Sequence, residues 1–215
     1  MTIAVTQYDF VRYAHPIPFA YARAFDNAQR DLDPYGITHS NMRLAHFISQ
    51  VIFETDVLQK REEDLCYSAE RIVQVWARYF QPRTDNNPAD CADKPEALGN
   101  IVYGGRMGNT APGDGYAYRG RGLLQLTGKD EYRIATLEMR KMDPNAPDLV
   151  ANPDQAFASD WCLRVAAAIW KHNGTNEAAD TNSVERVTRA INGGTDGLED
   201  RRRWFEKVAA HIMPS

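Results

Sequence analysis

Half of the chain's glycines crowd into one stretch: seven of the fourteen lie between Gly104 and Gly122, in GGRMGNTAPGDGYAYRGRG. Such density marks backbone that needs positive φ or close approach to something, so this stretch interrupts the regular structure on either side of it. That structure is helical. From about Met42 to Glu54, Leu44, Ala45, Phe47, Ile48, Val51 and Ile52 follow the rhythm of one buried helical face, with Ser40 or Asn41 as cap. About Ala69 to Phe80 places Ile72, Val73, Trp76, Tyr79 and Phe80 on one face, capped by Ser68 and followed by Pro82. Gln81 to Lys94 reads as a loop, and Pro95 opens a short helix toward Tyr103.

Beyond the glycines, LLQLTG reads as a short strand or an extended wall, and a helix is expected near Lys129 to Lys141. A strong helix starts at Asn152-Pro153, with Ala158, Trp161, Cys162, Val165, Ala166 and Ile169 as its stripe and Gly174 past its end. Asn182-Ser183-Val184-Glu185 has capping-box spacing for a helix ending at Ile191, stopped by Asn192-Gly193-Gly194. The last helix, roughly Leu198 to Ile212, buries Trp204, Phe205 and Val208. Many helices, few strand runs and no fixed repeat predict a mainly α protein.

At 215 residues the chain suits one compact domain, or two lobes around a cleft, able to bury roughly 70% of its unfolded surface without staples. Its formal charge of −4 argues against a nucleic-acid or anionic-membrane binder. Cys66, Cys91 and Cys162 are odd in number and widely spaced, so free thiols are expected, with one accidental pair as the alternative. The start, Met1-Thr2-Ile3-Ala4-Val5-Thr6-Gln7, is unlike a signal peptide, and no window approaches 18 apolar residues. Synthesis in the cytoplasm is expected, without stable membrane insertion.

Among possible chemical groups, Glu54 stands out on the edge of the buried stripe, where desolvation favours the protonated form that a general acid needs. The plain alternative is a helix-end glutamate reaching solvent or pairing with Lys60 or Arg61. Nine residues on, Arg61-Glu62-Glu63-Asp64 adds carboxylates that alone would read as a solvated face. Two carboxylates in different environments are what glycosidic cleavage requires. Gly122 to Gly128-Lys129 is one residue too long for a P-loop, and Asp130 replaces the required Ser or Thr. His15, His39, His46, His172 and His211 show no paired metal spacing, so no metal or cofactor is expected, and His46 reads as a packed or capping residue.

Several blocks together resemble the family 19 glycoside hydrolases, above all its lysozyme-like phage endolysins and less closely its plant chitinases. They are Phe47-Ile-Ser-Gln-Val-Ile-Phe-Glu54-Thr, Glu63-Asp-Leu-Cys-Tyr67-Ser-Ala, Asn100-Ile-Val-Tyr103, Arg106-Met-Gly-Asn109, Pro112-Gly-Asp-Gly115, Tyr118-Arg-Gly-Arg-Gly-Leu-Leu-Gln125-Leu-Thr127-Gly128, Ile191-Asn192-Gly-Gly194 and Asp200-Arg201. The resemblance runs from about Asn41 to the C-terminus. It implies a two-lobed, mostly helical, lysozyme-like fold with a central cleft, in one catalytic domain over 1–215 with residues 1–40 as an N-terminal helical part. It also implies Glu54 as general acid, Glu63 as general base rather than Glu62, and Thr127 as the holder of the attacking water. Gln125, Asn192 and Arg201 fall on substrate-binding positions, and Tyr103 and Tyr118 are expected to offer aromatic faces to sugars, or else to brace the glycine-rich loop.

Three departures from the family pattern concern the cleft. Phe53 precedes the acid where most relatives have His, and Thr55-Asp56 follow it. Asp64-Leu65-Cys66 replaces Asn-Leu-Asn, and Glu131 stands where an Asn is expected. Phe53 is expected to make the surroundings of Glu54 more apolar and Asp56 to add a like charge. The expected activity is inverting hydrolysis of the β-1,4 amino-sugar backbone of peptidoglycan by a monomer. The alternatives are a chitinase or an inactive carbohydrate-binding relative. The expected site of action is the periplasm or cell wall, reached through a pore or a secretion apparatus, the latter implying an immunity protein.

Overall fold

The structure, a computed structural model, describes residues 3–14, 21, 23–80 and 85–213. Met1, Thr2, His15, Gln81 and Pro82 of the sequence reading lie outside the described residues. Among those described, the regular structure is twelve α-helices: α1 (Tyr8–Val11), α2 (Ala28–Leu32), α3 (Asn41–Glu54), α4 (Ala69–Val75), α5 (Pro88–Cys91), α6 (Pro95–Tyr103), α7 (Asp114–Ala117), α8 (Lys129–Met142), α9 (Cys162–His172), α10 (Thr175–Asp180), α11 (Val184–Asn192) and α12 (Leu198–Ile212). Among the described residues, extended pairing is confined to two isolated antiparallel bridges, Glu62 with Arg121 and Arg121 with Leu126.

Helix α3 is the axis of the larger lobe. Ser40 caps it, its hydroxyl accepting from the Arg43 amide at 3.2 Å. Every residue from Leu44 to Ile52 is buried, so the helix is enclosed on all sides rather than along the one face that the apolar rhythm predicts. Leu44, Phe47, Ile48, Val51 and Ile52 have no exposed surface, and their burial contributes roughly 8 to 15 kcal/mol gross. The polar residues enclosed with them have local reasons to be there. Ser49 donates to the His46 carbonyl at 2.8 Å, and His46 stacks on Phe205 of α12 at 4.1 Å.

A second, separate core of Leu65, Ile72, Phe80, Cys91, Leu98 and Val102 forms the smaller lobe from α4 to α6. This core is small, and it draws on only part of the stripe expected over Ala69 to Phe80. The helix ends at Val75, Trp76 turns away at φ −121° and ψ 38°, and Val73 is 42% exposed. The expected loop of 81–94 contains α5, capped by Asn87, whose side chain accepts from the Ala89 amide.

The helix expected to start at Asn152-Pro153 is split. A 3-10 turn over Pro153–Phe157 ends at Ala158 in extended backbone, and α9 begins at Cys162. The 3-10 turn packs on the glycine-rich wall, where Gly122, at φ +78°, lies so close to the Ala156 carbonyl that any Cβ there would collide with it. Helix α10, absent from the sequence reading, follows Gly174 directly. Cys66, Cys91 and Cys162 are all free thiols.

Candidate active site

Glu54 is the last residue of α3, so its position is fixed by the buried helix beneath it. The group that meets it is a guanidinium, not the apolar wall expected from Phe53. Arg201, 1% exposed, donates from Nη2 to Glu54 Oε1 at 2.6 Å, from Nη1 to Gln50 and from Nε to the Asp196 carbonyl at 3.0 Å. The Phe53 ring instead lies against that guanidinium, 4.0 Å from its central carbon. A cation at the C-terminal end of α3 also suits the partial negative charge of that helix end. With its amide oriented to satisfy both neighbours, Asn192 donates to Glu54 Oε1 at 3.3 Å and accepts from Arg201 at 2.7 Å. Both donors converge on Oε1.

Immediately after Glu54 the chain makes a left-handed turn through Asp56, Val57 and Leu58, at φ 47°, 56° and 64°. Such backbone is costly for a β-branched residue. The buried Thr55 hydroxyl stabilises it, donating to the Val51 carbonyl at 2.6 Å and accepting from the Leu58 amide at 2.9 Å. The turn brings Arg61 to Glu63 back beside the glycine-rich wall, where Glu63 and Gly122 donate backbone N–H bonds to Gly120 and Arg61 at 2.8 and 2.7 Å.

The two bridges set the register here. Glu62 opposes Arg121, which opposes Leu126, so one step along, Glu63, Gly120 and Thr127 form the neighbouring row. Side chains alternate between faces, which separates the two adjacent glutamates. Glu62 is paired with Arg119 and lies 3.8 Å from the buried Arg121. Glu63 instead accepts from the Tyr103 hydroxyl at 2.8 Å. Gly120, between Glu63 and Thr127, leaves only a narrow gap: a Cβ built on it would press on Gln125 Oε1 at 3.2 Å, Thr127 Oγ1 at 3.3 Å and Glu63 Cβ at 3.4 Å. Burial and the charge of Glu63 push the Tyr103 phenol far above its usual range, so it remains a donor.

Thr127 lies within this row, and its hydroxyl donates to the Gln125 carbonyl at 2.7 Å. Gln125 holds left-handed backbone at φ 52° and donates its side-chain amide to the Gly122 carbonyl at 3.0 Å. The site therefore gathers Glu54, Asn192 and Arg201 around one carboxylate, and Glu63, Tyr103, Gln125 and Thr127 around the other. Tyr118 belongs to neither group. It is 6% exposed and donates to the Val150 carbonyl at 2.9 Å, so it braces the wall and offers no face to a sugar. Arg201 likewise lies beneath Glu54, without a free surface for substrate. Sequence reasoning missed the Gly120 gap, the Gln50 support for Arg201 and the left-handed turn. Of these, only Gly120 left a signal, inside the glycine-rich block.

No protein-family model matches the chain. A glycosyl hydrolase family 19 domain-containing protein of Haemophilus influenzae is 33% identical to it over 211 residues, 97% of each chain. Among solved structures, chitinase C from Streptomyces griseus superimposes with a TM-score of 0.62 at 18% identity, covering 97% of this chain and 76% of that one. A bacterial family 19 chitinase superimposes with a TM-score of 0.60 at 18% identity, covering 98% and 96%. A chitinase C variant gives 0.64 at 17%, covering 98% and 93%.

Proposed function

The chain belongs to glycoside hydrolase family 19, and on that premise we propose that it cleaves the β-1,4 amino-sugar backbone of bacterial peptidoglycan by a single, inverting displacement. The observation that carries the mechanism is the row of Glu63, Gly120 and Thr127, whose middle member has no side chain. A water in that gap, which Gln125 Oε1 also borders, meets acceptors in Thr127 and Glu63. Thr127 has committed its only hydroxyl proton to the Gln125 carbonyl, so toward the water it can only accept. Glu63 accepts the second proton, and the water's lone pair is left for the anomeric carbon.

On the opposite side Glu54 protonates the departing oxygen. Its Oε1 is anchored by Arg201 and Asn192, which leaves Oε2 to carry the proton. As that proton leaves, negative charge develops on Glu54 directly against a fixed guanidinium, where no reorganisation is needed to stabilise it.

The preference for peptidoglycan rests on charge. Arg78 donates to the Tyr79 hydroxyl at 2.8 Å, Arg106 bonds to the same hydroxyl, and both arginines are exposed. Arg106 also acts electrostatically on Tyr103, the partner of Glu63. Lactyl and stem-peptide carboxylates of peptidoglycan have cations to meet there, whereas chitin is uncharged. The chitinases among the similar folds favour the alternative reading, an N-acetylglucosamine polymer. A monomer acting in the periplasm or cell wall fits the peptidoglycan reading, with an immunity protein as its partner if the chain is an injected toxin.

Wall turbidity loss and chitin-oligomer cleavage, measured in parallel, separate the two substrates, and turnover of neither marks an inert binding protein. Proton NMR in the first minutes should show the α-anomer as initial product. An initial β-anomer overturns the single displacement.

A further inference from the structure

We propose that Glu131, in the first turn of α8, is a positioning residue for Thr127 and through it for the attacking water, an inference that rests on the mechanism above. The backbone around Thr127 explains why such a brace is needed. Leu126 exchanges both backbone bonds with Arg121, at 2.8 and 3.1 Å, and the Gly128 amide donates to the Tyr118 carbonyl at 2.8 Å. The Thr127 amide lies between them with no backbone acceptor. Its neighbours at positions 125 and 128 both hold positive φ, 52° and 89°, so no regular ladder fixes this peptide.

Glu131 Oε2 takes up that amide at 3.0 Å. Its own footing is rigid. The first turn of α8 is tied to the glycine-rich wall by the Lys129 amide donating to Asn109 Oδ1 at 2.9 Å and the Asp130 amide donating to the Met107 carbonyl at 3.1 Å. A carboxylate also suits a helix N-terminus. Burial pushes the Glu131 carboxyl up, and the Thr127 amide and His172 pull it back. Thr127 is thus held twice, its amide by Glu131 and its hydroxyl by the Gln125 carbonyl. Loss of the first hold lets the hydroxyl drift from the Gly120 gap while the proposed sugar contacts of Gln125, Asn192 and Tyr103 remain.

The test compares Glu131→Ala, Glu131→Gln and Thr127→Val on purified peptidoglycan and on chitin oligomers, with melting temperature recorded for each. Glu131→Ala should lower kcat on the order of 10-fold to 10²-fold, with KM within about twofold. Glu131→Gln keeps an acceptor of the same reach and should restore most of kcat. If the alanine variant does not fold, Glu131→Asp, one methylene too short to reach the amide, should show the same kcat loss. Unchanged kcat in Glu131→Ala, or Glu131→Gln as slow as Glu131→Ala, overturns the positioning role while Thr127→Val remains slow. A fast Thr127→Val overturns the water-holding reading itself, and a wild-type chain that cuts neither polymer overturns both.

Discussion

Glu54 and Glu63 are nine residues apart in the chain and are held by opposite means. Glu54 ends a helix buried on every side and is ion-paired with a guanidinium that is itself buried. Glu63 stands in a single bridge-length of extended chain, held by a neutral phenol and by two bonds with the Gly120 backbone, its amide donating to the Gly120 carbonyl and its Oε2 accepting from the Gly120 amide at 3.5 Å. The difference follows from what each group does in the proposed reaction. The acid ends the step as a new carboxylate and benefits there from a fixed cation, although the same cation opposes the protonated form from which it starts. The base starts as a carboxylate and must stay free to accept a proton, which a strong ion pair would oppose. The cation near the base is spent on Glu62 instead.

The most severe way to break this comparison is to remove each carboxylate in turn. Glu54→Gln and Glu63→Gln should each lower the rate of wall clearance about 10² to 10⁴-fold, the usual cost of losing a general acid or base. Their stabilities should part. Glu54→Gln leaves Arg201 without its counter-charge and lowers the melting temperature, while Glu63→Gln leaves it near the wild-type value. Equal losses of stability would mean that the two tethers are alike.

Arg201→Ala attacks only the charged tether. Breaking a buried pair by removing one partner costs about 3 to 5 kcal/mol, to be read from urea unfolding. Arg201→Lys should not rescue it, since a single ammonium cannot reach Asp196, Gln50 and Glu54 in the fixed fork that the guanidinium uses. Full stability in either variant would demote Arg201 to a bystander.

The two tethers also differ in how visible they were before the structure. The apolar rhythm from Leu44 to Ile52 predicts the platform of Glu54 to within a residue, because burial leaves a periodic trace. The partner of Glu54 comes from Arg201, far along the chain, and only a family resemblance marked that arginine at all, as a substrate contact. The turn through Val57 was hidden because a β-branched residue in left-handed backbone defies local preference and is held there by Thr55 from outside. Around Glu63 the glycine block announced close approach without saying to what. The split at Ala158 and the exposure of Val73 have the same origin: tertiary contacts overrode an apolar stripe read as one helix.

The enclosure of α3 has a pH signature. His46 has no exposed surface, and neither ring nitrogen makes a hydrogen bond of normal geometry. Burial pulls its pKa down to about 4, with the Asn182 side chain working weakly against the shift. The unfolded chain, near 6.5, therefore binds the proton first. Stability should be complete above about pH 6.5 and fall by about 3 kcal/mol as pH drops toward 4. Urea midpoints across that range should flatten in His46→Phe, and an unaltered slope would show that other groups carry the acid sensitivity.

Gly120→Ala sharpens the other half. The added methyl occupies the gap 3.3 Å from Thr127 Oγ1 in backbone that any residue can adopt. It also presses on Gln125 Oε1 at 3.2 Å and Glu63 Cβ at 3.4 Å, so the fold should lose about 1 to 3 kcal/mol, while kcat falls on the order of 10-fold from a displaced water. A kcat equal to wild type would place the water elsewhere.

The smallest effect expected is at Glu62, which differs from Glu63 only in the face of the extended chain that it occupies. Its carboxylate is 40% exposed, and the buried Arg121 keeps a second carboxylate, Asp154, at 3.3 Å when Glu62 is lost. Arg121 also keeps its bond to the Tyr132 hydroxyl at 3.1 Å. Glu62→Gln therefore leaves Arg121 paired, while the largely buried Arg119 keeps the Tyr116 carbonyl at 3.1 Å and the Tyr116 ring beneath it, so the loss should be on the order of 1 kcal/mol. Wall clearance should stay within about twofold of wild type, since a pair remote from the reacting atoms adds nothing that strengthens in the transition state. An inactive Glu62→Gln beside an active Glu63→Gln would exchange the roles of the two faces. The water would then have to lie on the Arg119 side of the wall, and the Gly120 gap would be packing space rather than part of the reaction.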